Sequence, residues 1–345
     1  REVKPIKGGD ITLPQLVQLS EVEFSAYLAK VIAEQDEKYQ ESCFRAVTTG
    51  EVTKEELTME PAKSQREAYG GEYKEEYVEA EHRELKGLAL HGTFEEVYCP
   101  PDRTPITCRW AYDLKRDKEG RINLFKARLV VHGFKQVEGI DFNKTFSSTA
   151  QLRTFRLVVA TAVAKGYSMT QYDISQAFLN GTLEEDLYMN FPPGYPSENK
   201  GTVLKLLKGL YGLKQASRIW QKTLYKALQD LGMVTCKTES GVLRWPGKDH
   251  LGLVVCWVDD LIIICDDDRI RKKIEQKLSA EFLTKMIGKL EHYVGIVLER
   301  EKDGSCELKQ GPYIRKVAAK FEVTRKFFAN VPAQSERLSK ADCPT

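Results

Sequence analysis

The apolar positions of the chain follow two periods. Tyr77, Ala80 and Leu85 within residues 72–90 recur at helical spacing. So do Ile219, Trp220, Leu224, Ala227, Leu228 and Leu231 within 213–232, and Ile270, Ile274, Leu278 and Phe282 at a spacing of four. Each set would line one face of an amphipathic helix. QLRTFRLVVATAVAKG, from 151, predicts another helix closed by Gly166, as Gly232 closes 213–232. Period two governs RWAYDLKRDKEGRINLFKARLVVHGF: strand, turn at Lys118-Glu119-Gly120, strand, a hairpin rich in Lys and Arg. YSMTQYDIS predicts a short strand ending at Asp173, and PPGYP (192–196) a loop. Further strands are expected at 291–299 and 305–309 around Asp303-Gly304, then a helix through Tyr313, Ile314, Val317 and Phe321. Near the start, Leu16, Leu19, Val22, Phe24, Leu28 and Ile32 predict a helix, and 50–60 an acidic linker or short exposed helix. Strand–helix alternation flanked by antiparallel hairpins points to an α+β fold with a split βαβ sheet, not a doubly wound parallel sheet.

The segment LGLVVCWVDDLIIIC (251–265) breaks this order, because Asp259 and Asp260 interrupt the most apolar run of the chain. Two apolar halves about a polar centre predict a tight hairpin. An Asp pair in a turn is ordinarily a capping device. Here both flanks should be buried, so the turn ends a core hairpin, and two like charges held there repel unless a cation neutralises them. If the strand ending at Asp173 lies beside this hairpin, three carboxylates converge. Hard oxygen donors of that kind suit Mg²⁺. Two such ions about 4 Å apart can activate a hydroxyl and stabilise a departing pyrophosphate, the chemistry of nucleotidyl transfer.

Composition narrows the class. The 345 residues suffice for one large or two to three smaller domains. No apolar run reaches the roughly 18 residues of a membrane helix. Eight cysteines without a CxxC pair, with only five His, argue against structural zinc and fit reduced thiols in an intracellular compartment, cytoplasm or nucleus. With no Met at position 1 and no signal-peptide pattern, the sequence is expected to begin inside a longer chain. The net charge of +2 hides an asymmetry: residues 1–100 carry 12 Lys+Arg against 21 Asp+Glu, the remainder 40 against 29. A basic main body points weakly to a polyanionic partner.

Ordered motifs carry a resemblance. Lys126-Ala127-Arg128-Leu129-Val130-Val131-His132-Gly133-Phe134, Gly139-Ile140-Asp141-Phe142 with Thr145-Phe146-Ser147, DISQAFLNG from Asp173 to Gly181, Tyr211-Gly212-Leu213-Lys214-Gln215-Ala216, Val258-Asp259-Asp260-Leu261 and RLSKADCPT (337–345) occur in sequence. From about Glu60 onward the chain resembles the reverse transcriptase of Ty1/copia-type LTR retrotransposons, part of their Pol polyprotein. It departs from that pattern at Tyr172, at Ser148-Thr149 and Ser217, where the family has Pro-Val and Pro, and at Trp257, where it has Tyr.

The resemblance implies a right-hand polymerase. Residues 60–165, with 200–225, would form fingers; 166–199 and 226–298 a palm; 299–345 the start of a thumb or connection; 1–59 is an extension of unknown role. It implies Asp173 and Asp259 as metal ligands with Asp260 the third acid, two Mg²⁺ (or Mn²⁺), and a template-primer and dNTPs as partners. Phe178 would be a steric gate against a 2′-hydroxyl, Gln215 a contact to the nucleotide sugar, and Arg128 with Lys126 the triphosphate ligands. Gly288, Leu290, Tyr293 and Gly295 would lie in the primer-grip region. A second reading is a domesticated, catalytically silent remnant serving as a scaffold, with protein partners bound through residues 1–100.

Overall fold

The computed structural model describes residues 59–320, apart from 117–121 and the single positions 198, 248 and 303. The predicted N-terminal helix, most of the 50–60 linker, the Lys118-Glu119-Gly120 turn, Phe321 and the RLSKADCPT segment lie outside the described residues. Two helices, α1 (Gln65–Gly70) and α2 (Lys74–Leu90), precede strand β1 (Phe94–Tyr98) and a long hairpin of β2 (Cys108–Arg116) and β3 (Ile122–Val131). Tyr77, Ala80 and Leu85 of α2 are buried, as their spacing requires. Tyr77 packs edge-on against Tyr112 and Phe125 of the hairpin. Helix α3 (Leu152–Lys165) ends on Gly166 at φ +68, the left-handed C-terminal residue that glycine adopts without a Cβ penalty.

A six-stranded sheet forms the centre. It contains β4 (Ser168–Ile174), β7 (Val234–Thr235), β8 (Val242–Arg244), β9 (Gly252–Trp257), β10 (Asp260–Cys265) and β11 (Thr284–Lys289). Its order is β11-β4-β10-β9-β8-β7, with antiparallel ladders throughout. Strands β5 (Thr182–Met189) and β6 (Thr202–Lys208) join β1 in a separate three-stranded sheet. Helix α4 (Ala216–Asp230) follows β6, and α5 (Asp268–Glu281) connects β10 to β11 of the central sheet.

The run LIIIC reads as continuous apolar because both faces of β10 are covered. Leu261, Ile263 and Cys265 pack with Trp220, Leu224 and Leu228 of α4 and Ile274 and Leu278 of α5. Ile262 and Ile264 face Phe155 and Val159 of α3. A third core joins α2, the β2–β3 hairpin and the β5–β6 strands. The result is a mixed α/β structure of antiparallel sheets.

One expectation needs correction. The strand expected at 291–299 is two, β12 (His292–Tyr293) and β13 (Ile296–Arg300), because Val294 (φ +48) and Gly295 (φ +78) turn the chain between them; β13 then pairs with β14 (Cys306–Lys309). The helix expected through Tyr313, Ile314 and Val317 is α6 (Gly311–Lys320), on which Tyr313 and Ile314 are exposed. Among the described residues, Cys99, Cys108, Cys236, Cys256, Cys265 and Cys306 are free thiols. Among the described residues, no helix is long and apolar enough to cross a membrane.

Candidate active site

Asp173 and Asp260 face each other across β4 and β10 as register partners. Residues directly opposite in an antiparallel pair hold their Cβ atoms about 5 Å apart on one face. Two carboxylates at that spacing repel by on the order of 3 kcal/mol at an effective dielectric near 20. Asp259 follows Val258 in the two-residue turn between β9 and β10, and its carbonyl accepts the Ile174 N–H at 3.0 Å. The sequence folds this way because the flanking apolar halves must be buried, which leaves the polar dipeptide at the sheet's end.

Charge accumulates there. Burial, then the neighbouring Asp259, raises the Asp173 pKa above the ordinary carboxylate range, against the opposing charges of Lys126 and Lys285. Asp260 is raised by burial and by both other acids, against a hydrogen bond from Gln171. Lys285 is the register partner of Asp173 on β11, so cation, acid and acid lie side by side across three strands. Half-buried, mutually repelling oxygen donors are what a small divalent cation would neutralise, and this donor set fits Mg²⁺. Among the described residues, a group of three carboxylates all within 4.8 Å of one another occurs at Glu299, Glu301 and Glu307. Those are exposed, and Glu299 and Glu307 pair with Lys309.

The basic hairpin faces these acids. Lys126 and Arg128 alternate on β3 with the buried Ala127 and Leu129. Burial, Arg128 and Lys115 lower the Lys126 pKa, while Glu84 and Asp173 act to raise it. The Arg128 guanidinium lies over the Tyr211 ring, 5.4 Å from its centroid. Phe178 meets the same ring edge-on at 4.9 Å. Burial raises the Tyr211 pKa, opposed by Arg128 and reinforced by Asp259 and Glu84. Phe178, Tyr211 and Arg128 therefore form one wall beside the acids.

Gln215 is placed differently from a residue lining an open cleft. It is 1% exposed. Its Oε1 accepts from Gln136 Nε2 at 2.9 Å and its own amide donates to the Asp141 carbonyl at 2.8 Å. In this arrangement it pins the 136–141 loop to the start of α4. Gly288 sits at a β-bulge in β11 with φ +122. Leu290 is buried and its N–H donates to Met169 O at 3.2 Å. Tyr293 stacks on Phe155 at 4.8 Å with its hydroxyl buried and unpartnered, and burial, with Cys256 and Asp260, raises its pKa. Gly295 makes the β12–β13 turn.

Sequence reasoning gave no role to Tyr211, Lys285, Gln171 or Glu84. Tyr211 lay within a quoted motif, whereas β11, which supplies Lys285, has no clean alternation to mark it. The departures from the family pattern gather behind the turn. Ser148, Thr149 and Ser217 line a hollow with Trp220, Gln221 and Val258. Ser148 uses the N–H that a proline would lack, donating it to Gln221 Oε1 at 3.0 Å. Tyr172 is buried, and its hydroxyl donates to Glu275 of α5. Trp257 pairs with Asp260 across the hairpin.

The family described as reverse transcriptase (RNA-dependent DNA polymerase) matches residues 91–335. A retrovirus-related Pol polyprotein from transposon TNT 1-94 of Nicotiana tabacum is 31% identical over 276 residues, 79% of this chain and 21% of that polyprotein. The corresponding polyprotein of transposon RE1 from Arabidopsis thaliana is 32% identical over 259 residues, 74% of this chain and 18% of its own length. The Ty1-DR4 Gag-Pol polyprotein of Saccharomyces cerevisiae is 30% identical over 220 residues, 62% of this chain and 13% of the polyprotein. The chain thus spans about a fifth or less of these curated relatives. It belongs to the reverse transcriptase (RNA-dependent DNA polymerase) family, as a domain of the Ty1/copia type found in retrotransposon Pol polyproteins.

Proposed function

We propose that the chain is a polymerase domain that adds dNTPs to a primer 3′-hydroxyl, templated by RNA or DNA. The observation that carries this is the pairing of Asp173 with Asp260 across β4 and β10, with Asp259 in the adjoining turn and Lys126 of the basic hairpin nearby. In this reading the β2–β3 hairpin and its helices serve as fingers, the six-stranded sheet as palm, and the β12–β14 sheet with α6 as the start of a thumb or connection. Asp173 and Asp259 would hold two divalent ions, with Asp260 supporting them. When bound, such ions lower the pKa of the attacking hydroxyl and neutralise the departing pyrophosphate.

The remaining work falls to protein groups. Arg128, planar and permanently charged, suits bidentate contact with triphosphate oxygens, and Lys126 adds a point charge. The Phe178 ring, held by Tyr211, would stand under the sugar and exclude a 2′-hydroxyl. Gln215 would reach a nucleotide only after releasing Gln136 or Asp141, so its support for the site is through the loop it pins. The β11–β13 segment, with Gly288, Leu290, Tyr293 and Gly295, would abut the primer end.

Primer extension on a primed RNA template with Mg²⁺ tests the reading. Wild-type chain should incorporate dNTPs, and Asp173→Asn or Asp259→Asn should abolish incorporation without loss of folding. Unaltered incorporation by either variant rejects the role given to that acid, and none by the wild type rejects the polymerase reading and leaves a silent scaffold.

A further inference from the structure

The turn that carries Asp259 is held in an unusual backbone state. Of its two residues only Val258 has positive φ, at +57. That is the pattern of a type II′ hairpin turn, whose first position glycine normally occupies. A β-branched residue there is a true outlier and costs on the order of 1–3 kcal/mol unless its surroundings fix it. Two bonds from outside the hairpin do so. The Asp259 carbonyl is held by the Ile174 amide at 3.0 Å, on the strand that also carries Asp173. The Val258 carbonyl accepts the indole N–H of Trp220 at 2.7 Å.

Trp220 is itself fixed. It lies in the first turns of α4, is 1% exposed, and packs edge-on against Phe282 with ring centroids 5.1 Å apart. A buried indole N–H needs some acceptor. What is informative is that it takes the carbonyl of the strained residue, not one of an ordinary ladder. A peptide plane between Val258 and Asp259 that was free to turn would change ψ of Val258 and φ of Asp259, and so swing the Asp259 carboxylate.

We propose that Trp220 is a positioning residue, whose indole N–H locks the Val258 peptide and so aims the Asp259 carboxylate toward Asp173. The proposal rests on Asp259 acting in the polymerase reaction described above. Trp220 touches no reacting atom in this role. A displacement of about 1 Å at a reacting group can cost about 100-fold in rate, so one hydrogen bond on the turn has leverage beyond its own strength.

Trp220→Phe removes the N–H and keeps an aromatic ring against Phe282. Wild-type primer extension is measured first, because its failure bears on the polymerase reading and not on Trp220. Given an active wild type, Trp220→Phe should lower kcat about 10- to 100-fold, with KM for dNTP and template-primer affinity within about twofold. Hydrogen exchange of residues 258–261 should rise about tenfold, while 262–265 and the distal turns of α4 stay protected. Adding Val258→Gly, which accepts positive φ, should recover part of the lost kcat. In the wild type, the Trp220 indole proton should exchange as slowly as the β9–β10 ladder amides, a reading that needs no variant to fold. Fast exchange of that proton overturns the proposal. So does a Trp220→Phe protein with wild-type kcat, or one whose exchange rises uniformly through the core, which would mark Trp220 as packing alone.

Discussion

Glu84 occupies the open edge of β3, where its Oε1 accepts the Leu129 N–H at 3.3 Å. Burial pushes its pKa up from 4.5 to about 7; the Leu129 amide and the charges of Arg128 and Lys126 oppose the shift without cancelling it. The folded state therefore binds a proton more tightly than the unfolded chain. Stability from this group is fully present below pH 4.5 and declines as pH rises to about 7. A rise of that size corresponds to on the order of 3 kcal/mol. Glu84→Gln keeps an acceptor for Leu129 and removes the titration. Urea unfolding should show the variant gaining on the wild type between pH 4.5 and pH 8, by up to about 3 kcal/mol. A constant difference across that range would mean that Glu84 is solvated in solution.

At the scale of elements, the junction between the β2–β3 hairpin and the start of α4 is a backbone-to-backbone contact. The Val131 N–H donates to Tyr211 O at 2.8 Å. A Cβ on Gly212 would stand 2.1 Å from the Val131 carbonyl, and Gly212 has φ +93; a Cβ on Gly133 would stand 2.0 Å from the Gly212 carbonyl. Gly212→Ala must therefore separate the hairpin from α4 as well as strain the turn, and should cost at least about 2 kcal/mol by urea unfolding. An effect within 0.5 kcal/mol, the usual scale of a surface change, would show that the contact is looser than described. Such contacts also mark the limit of what was legible in the sequence. Helices α2, α3, α4 and α5 and the β9–β10 hairpin announced themselves, because each carries an unbroken apolar period and a glycine, a capping Asp or a turn at its end. Strands β5, β6 and β11 did not, because a bulge or register shift interrupts each ladder and with it the alternation. The acids were legible as an anomaly, polar residues inside an apolar run. Trp220 was legible only as a core position, since periodicity records that a side chain is buried and not which carbonyl its N–H finds.

Across the whole molecule, the acid excess lies in the first 100 residues and the basic excess in the remainder, which carries 40 Lys+Arg against 29 Asp+Glu. The acids of the site are set among cations: Lys126 and Arg128 from the hairpin, and Lys285 from β11. A polyanion approaching Asp173 and Asp260 would meet these cations first, and metal ions would remove the local repulsion. Binding of that kind releases counterions, so template-primer affinity should fall linearly with salt on logarithmic axes, with a slope of about 0.9 for each phosphate neutralised. Lys285 is exposed and lies beside Asp173 without being one of its chain neighbours. Lys285→Gln should weaken binding uniformly across primer-template sequences and reduce the slope by about 1. Fluorescence anisotropy from 50 to 300 mM KCl, at constant Mg²⁺, reads both quantities. A wild-type affinity indifferent to salt would mean that the basic surface is satisfied within the chain, most directly by the acids of its own first 100 residues.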